Sequence, residues 1–125
     1  MILLSASVRV FVATTPTNLR CSFEGLCNAV RAHLREDPLS GHLFVFVNRR
    51  RNQVKLLLWT RGGFTILHKR LERGTFAIIQ RPGLEPPRVE IDVHELAMLL
   101  EGIESSGVRF KPRWSPEPSA PPPPS

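Results

Sequence analysis

The sequence predicts an α+β fold, with two helices packed on an antiparallel β-meander sheet in one small domain. Three observations predict it. Short apolar segments separated by turn residues fill residues 42–80. Apolar residues recur at helical spacing on either side of that block, over residues 22–35 and again after residue 92. The proline-rich end offers almost no side chains for a core, so residues 1–111 form the domain and residues 112–125 a disordered tail.

The first apolar segment has the alternation of a strand over residues 8–13. Val8, Val10 and Val12 alternate with other side chains, and Arg9 interrupts the apolar run. Without a basic region before it, this start does not resemble a signal peptide. No stretch is long enough to span a membrane, so we expect a cytoplasmic protein.

A helix is expected over residues 22–35. Its apolar stripe is formed by Phe23, Leu26, Val30 and Leu34. Gly25 near the start of the helix indicates a close backbone contact. Cys21 and Cys27, six residues apart, point to different faces, so we expect two free thiols.

The meander should contain four strands, at residues 42–47, 54–60, 64–71 and 76–80. The turns between them, at residues 48–53, 61–63 and 72–74, are rich in glycine, asparagine and arginine. The segment VKLLLW is apolar on nearly both faces, so we expect it in the centre of the sheet with a helix on one side.

The last elements are a short extended piece at residues 89–91 and a second helix. Asp92 is suited to cap this helix, and Glu95 three residues later completes a capping-box pattern. The stripe of Leu96, Leu99, Leu100 and Ile103 should be buried, and Gly107 should end the helix.

The positive charge of the chain is concentrated in residues 49–73. This block has eight basic residues and one acidic residue, a net charge of +7, whereas the rest of the chain has nine basic and ten acidic residues. Alternate turns of a meander lie at the same end of the sheet. One end should therefore collect Arg49, Arg50, Arg51, Lys69, Arg70 and Arg73, with Lys55 on the adjoining strand. Such a cluster suits the phosphates of DNA, and the alternative is a solvated basic surface.

Enzyme chemistry finds little support. The four histidines and two aspartates lack the spacing of metal ligands or of a two-metal site, so we expect no metal, no cofactor and no small-molecule substrate. The best enzymatic alternative is a metal-independent nuclease that uses His68 with Lys69 and Arg70. Packing is a better interpretation of Trp59 and Phe64 than base stacking.

The strings SGHLFVFVNRRRNQVKLLLW, GGFTILHKRLERGTF and LAMLLEGIE, together with VRVFVATTPTNLRCSFEGL, resemble the TnpB accessory proteins of bacterial insertion sequences of the TnpA–TnpB–TnpC type. These are distinct from the RNA-guided nucleases of the same name. In this sequence Cys21 stands where the family usually has lysine, and Asn48 and Asn52 stand where it commonly has glycine.

The resemblance implies a non-catalytic protein that assists a DDE-type transposase in transposition, and it adds Arg20 to the expected DNA-binding residues. The expected partners are DNA at the element ends, the transposase and the other accessory protein of the element. The alternative is an interaction module that binds the transposase without contacting DNA.

Overall fold

A computed structural model describes residues 7–77 and 83–102 of the chain. These residues form five strands and two helices. In chain order they are β1 (Val10–Ala13), α1 (Phe23–Ala29, continued by a π-helical turn at Val30–Leu34), β2 (Leu43–Val47), β3 (Gln53–Thr60), β4 (Gly63–Arg70), β5 (Arg88–Ile91) and α2 (Val93–Glu101).

The sheet has the strand order β4-β3-β2-β1-β5 and is mostly antiparallel. Strands β2, β3 and β4 form the predicted meander, so the fold class is confirmed. The remaining neighbours differ from a simple meander, because β1 runs parallel to β2 and antiparallel to β5. The parallel pair requires a crossover connection, and α1 provides it. The middle strand is therefore β2, with β3 beside it.

The two helices cover opposite faces of the sheet. Alternate residues of β1 show this, because Val10 and Val12 pack in the cluster that contains Leu96 and Leu99 of α2. Phe11 packs instead with Leu26 and other residues of α1. Side chains that alternate along a strand point to opposite faces. The strand LFVFV of β2 is buried on both, which explains its continuous run of apolar residues.

Helix α1 crosses its face of the sheet from β4 to β5. It begins at Phe23, whose ring lies 6.3 Å from that of Phe64 in β4. It ends in the π-helical turn, where Arg35 is left-handed and the Glu36 N–H donates to the Val30 carbonyl. Leu26, Val30 and Leu34 are buried as predicted, but Phe23 is 44% exposed because it lies at the sheet edge.

Two expected boundaries need correction. Phe76 is fully buried, but neither it nor residue 77 is in a strand, and residues 78–80 of the predicted strand lie outside the described residues. Helix α2 ends at Glu101 with Gly102 as its C-cap, earlier than predicted. Ile103, Gly107 and the proline-rich tail also lie outside the described residues.

The start of α2 contains the predicted capping box. The Asp92 carboxylate accepts a hydrogen bond from the Glu95 N–H at 2.8 Å, and the Glu95 carboxylate accepts one from the Asp92 N–H at 2.9 Å. We expect Asp92→Ala to lower the free energy of unfolding by about 1 kcal/mol, measured by urea denaturation. Asp92→Asn keeps an acceptor and should cost less. Equal losses in both variants would contradict a capping role.

Candidate nucleic-acid interface

Three segments meet at one end of the sheet. Because β1 runs parallel to β2, the loop that follows β1 lies at the same end as the turn between β2 and β3. The Thr17 N–H donates to the Val47 carbonyl at 2.9 Å and joins this loop to the end of β2. The chain after β4 lies at the same end of the sheet. The Leu71 N–H donates to the Asn52 carbonyl, and the Phe76 N–H donates to the Arg51 carbonyl. The predicted meeting of the two turns is confirmed.

The turn between β2 and β3 is braced by two asparagine side chains. The Asn48 side-chain oxygen accepts hydrogen bonds from the N–H groups of Asn52 and Gln53, each at 3.0 Å. The Asn48 amide nitrogen donates to the Asn52 side-chain oxygen at 2.8 Å. Arg51 takes up the left-handed conformation that reverses the chain. These bonds fix the turn that presents the exposed side chains of Arg49 and Arg50.

The loop after β1 is held against the sheet by several contacts. Leu19 is buried, and the Lys55 ammonium group donates to the Cys21 carbonyl at 3.2 Å. The Asn18 side-chain oxygen accepts a hydrogen bond from the Arg20 N–H at 3.0 Å. Gly25 packs so closely on this loop that a Cβ there would overlap the Cβ of Cys21, which confirms the predicted close contact. The backbone at Arg20 is therefore held in place by its neighbours.

The segments enclose an open cleft of about 650 Å³. Four arginines contributed by three separate segments line it: Arg20, Arg49, Arg50 and Arg70. Among the described residues, no acidic side chain lines the cleft or forms an ion pair with any of these four guanidinium groups. Four such charges in one concave site repel each other, so the cleft is suited to an anion.

The other four residues of the predicted interface do not line this cleft. Lys55 is half-buried and is used to hold the loop, as described above. Lys69 lies on the α2 side of the sheet and donates to the Leu100 carbonyl at 2.6 Å, near the end of α2. Arg51 lines a smaller neighbouring pocket, and Arg73 is exposed in the segment after β4. Lys69 and Arg70 lie at the same end of the sheet, but strand alternation places their side chains on opposite faces.

The described residues contain no catalytic constellation that we recognise. No group of three or more histidine, cysteine or acidic side chains in residues 7–77 and 83–102 could hold a metal ion. His68 is hydrogen-bonded to the Gln53 side chain at 2.9 Å. Both cysteines are free, and burial raises the pKa of the Cys27 thiol, which disfavours the reactive thiolate. Trp59 packs edge-on against Phe64, with ring centres 4.8 Å apart.

Within the same described ranges, every helix is too short or too polar to cross a lipid bilayer. No solved structure matches the chain.

Comparison with known proteins identifies relatives over most of the chain. Residues 8–110 match the family described as IS66 Orf2 like protein. The "Uncharacterized protein y4hO" of Sinorhizobium fredii is 38% identical over 99 residues, which cover 78% of this chain and 83% of that protein. The "Uncharacterized protein y4jC" of the same organism is 30% identical over 108 residues, which cover 86% and 90%. The chain therefore belongs to the IS66 Orf2-like family of insertion-sequence accessory proteins, which are associated with transposition.

Proposed function

We propose that this protein is a non-catalytic accessory factor of transposition that binds the phosphate backbone of DNA through its arginine-lined cleft. The observation that carries the proposal is the convergence of Arg20, Arg49, Arg50 and Arg70 in one cleft, with no acidic partner among the residues that the structure describes. Guanidinium groups bind phosphate oxygens through paired hydrogen bonds and release the counterions of the nucleic acid.

The polar side chains of the cleft support backbone binding that is independent of sequence. Asn48 and Asn52 are hydrogen-bonded to each other and to the turn, and Asn18 accepts a hydrogen bond from the main chain. The side-chain oxygen of Gln53 is paired with His68. Adenine edges are usually recognised by side-chain amides whose donor and acceptor are both free. The side-chain oxygens of these amides instead accept hydrogen bonds within the protein. The four arginines are then the main groups available to bind phosphate.

Membership of the family suggests which DNA and which proteins are bound. An accessory protein without a catalytic site assists by positioning DNA for a partner, and the DDE transposase and the other accessory protein of the element are the partners that we propose. The element ends, alone or within the transposase–DNA complex, are the DNA that we propose it contacts.

A second candidate function is a protein-interaction module that binds the transposase without contacting DNA. This candidate is supported because guanidinium groups also form paired hydrogen bonds with carboxylates. The same cleft could therefore bind an acidic protein surface. Salt-dependent binding of bare DNA separates the two candidates, because only the first requires it.

The binding test compares two double variants of equal charge. Arg49→Ala with Arg50→Ala removes two cleft cations, whereas Arg31→Ala with Arg61→Ala removes two exposed cations outside the cleft. If four phosphates are contacted, a plot of log affinity against log salt should have a slope of about −3.6 for the wild type. The cleft variant should flatten the slope by about 1.8 units, and the control variant should leave it nearly unchanged.

The measurement is fluorescence anisotropy of labelled duplexes, one from an element end and one unrelated, over a range of NaCl concentrations. We expect the cleft variant to weaken binding to both duplexes alike. Equal slopes for the two double variants would contradict the placement of the interface. Failure of the wild type to bind either duplex, together with binding to the purified transposase, would favour the second candidate.

The non-catalytic part of the proposal has its own test. Purified protein incubated with supercoiled plasmid and Mg²⁺ or Mn²⁺ should leave the plasmid intact, because no carboxylate cluster for two-metal chemistry exists in the described residues. In cells, replacing Arg49, Arg50 and Arg51 by alanine should lower the frequency of transposition. Cleavage that co-purifies with the protein through successive columns would contradict the first expectation, and unchanged transposition the second.

A further inference from the structure

Strand β4 is a long edge strand whose outer backbone groups have no described partner. It has eight residues, and within residues 7–77 and 83–102 it pairs only with β3. The bond from the Leu71 N–H to the Asn52 carbonyl continues the β3–β4 register. Odd-numbered residues of β4 therefore direct their N–H and C=O groups toward β3. The even-numbered residues direct theirs outward, and these are Phe64, Ile66, His68 and Arg70.

Over residues 63–67 the outer edge of β4 lacks the features that normally prevent strand pairing, whereas Lys69 and Arg70 place charge at the other end of the strand. Residues 63–67 contain no charge and no proline, and the strand shows no bulge in its pairing with β3. Leu67 is 45% exposed on the α2 side of the strand. On the α1 side, Phe64 lies next to Phe23, which is 44% exposed. Apolar side chains on both sides of an open edge are characteristic of an interface.

We propose that two copies of this chain pair through β4 in an antiparallel arrangement, with Leu67 on the two-fold axis. This register places Leu67 opposite Leu67 of the second copy and Ile66 opposite His68. Ile66 and His68 both direct their N–H and C=O groups outward. In this register the two residues form a hydrogen-bonded pair, in which each N–H donates to the other residue's carbonyl. The result is one continuous sheet of ten strands across the dimer.

The charge pattern of β4 is the reason to choose a second copy as the occupant. Lys69 and Arg70 are at one end of the strand, and the other end is uncharged. In the antiparallel register Arg70 faces Phe64 and Lys69 faces Thr65, so no like charges are directly opposed. The basic end of each β4 strand lies beside the uncharged end of the other copy's β4, and the two exposed Leu67 side chains pack against each other. An interface of this kind is self-complementary, as two-fold symmetry requires.

The arrangement has a consequence for the basic clefts. A two-fold axis perpendicular to the sheet leaves the α1 face of both copies on the same side of the dimer. Arg70 of each copy is on that face, and the two are offset along the strands by about 20 Å, six residues at the rise of a strand. The dimer therefore presents two clefts to one side. The pairing of the two β4 strands does not require nucleic acid. It can therefore be tested independently of the proposed DNA binding.

The first test measures the mass of the full chain by sedimentation equilibrium without nucleic acid. The wild type should show a concentration-dependent mass that approaches twice that of one chain. Leu67→Lys places two like charges on the axis and should raise the dissociation constant by roughly tenfold or more. Leu39→Lys is the matched control, because Leu39 is 49% exposed and lies in the loop before β2. It should leave the dissociation constant unchanged.

The second test does not depend on disrupting the strand. Thiols introduced by Leu67→Cys face each other at the closest kind of antiparallel pair, at a separation that a disulfide can bridge. Mild oxidation should yield a covalent dimer from this variant and none from Leu39→Cys, which has the same two native cysteines. A monomer at every concentration, equal effects of Leu67→Lys and Leu39→Lys, or equal crosslinking of the two cysteine variants would each overturn the proposal.

Discussion

Replacing Arg88 by alanine should lower the free energy of unfolding by about 2–4 kcal/mol, measured by urea denaturation. Arg88 joins the end of α1 to β5. Its guanidinium donates to the Leu34 carbonyl at 2.6 Å and pairs with the Glu36 carboxylate at 3.0 Å. It also lies 5.2 Å from the centre of the Phe11 ring. Both charged side chains are about three-quarters buried, so truncation would leave Glu36 poorly solvated and unpaired.

Arg9 provides the matched control for this prediction. Its guanidinium pairs with Glu90 at 2.7 Å and lies 5.0 Å from the same Phe11 ring, but both members of the pair are about half exposed. Its hydrogen bond holds the pKa of Glu90 below its ordinary value. Because water can replace this partner, Arg9→Ala should change stability only slightly. Equal losses for Arg88→Ala and Arg9→Ala would contradict the importance of burial.

The elements that sequence predicted well are those with a local cause. The capping pair Asp92 and Glu95 determines where α2 begins, and alternating apolar residues mark the strands of the meander. Gly25 indicated a close contact because glycine destabilises a helix through its backbone entropy. Its presence there is therefore best explained by a neighbouring group that leaves no room for a Cβ. Each of these signals lies within a few residues of the structure that it specifies.

The parts that sequence missed depend on distant pairing. Nothing near β1 indicates that it runs parallel to β2, and that pairing is what brings Arg20 beside Arg49 and Arg50. Arg20 was identified only through the family resemblance. The meander topology predicted that Lys69 and Arg70 share one end of the sheet, but it did not take into account that neighbours in a strand face opposite sides. The burial of Phe76 in an irregular segment likewise results from tertiary packing.

Gly25→Ala should destabilise the protein by about 1–3 kcal/mol and weaken its proposed binding of DNA. In an unobstructed helix the same change would stabilise by about 0.5–1 kcal/mol, because glycine costs more backbone entropy. Here the added Cβ overlaps the Cβ of Cys21, which belongs to the backbone-fixed part of that side chain. The loop must therefore move, and Arg20 moves with it out of the cleft.

Rescue distinguishes this overlap from a general effect of the substitution. Adding Cys21→Gly to Gly25→Ala removes the obstructing Cβ and should recover most of the lost stability, whereas adding Cys21→Ser keeps that atom and should not. Gly63→Ala is the control for glycine replacement, because an added Cβ there meets no atom of the described residues within 4 Å. Thermal unfolding followed by circular dichroism gives the stabilities, and anisotropy with a labelled duplex reports on the cleft. Equal behaviour of the glycine and serine rescues would show that the Cβ overlap is not the cause.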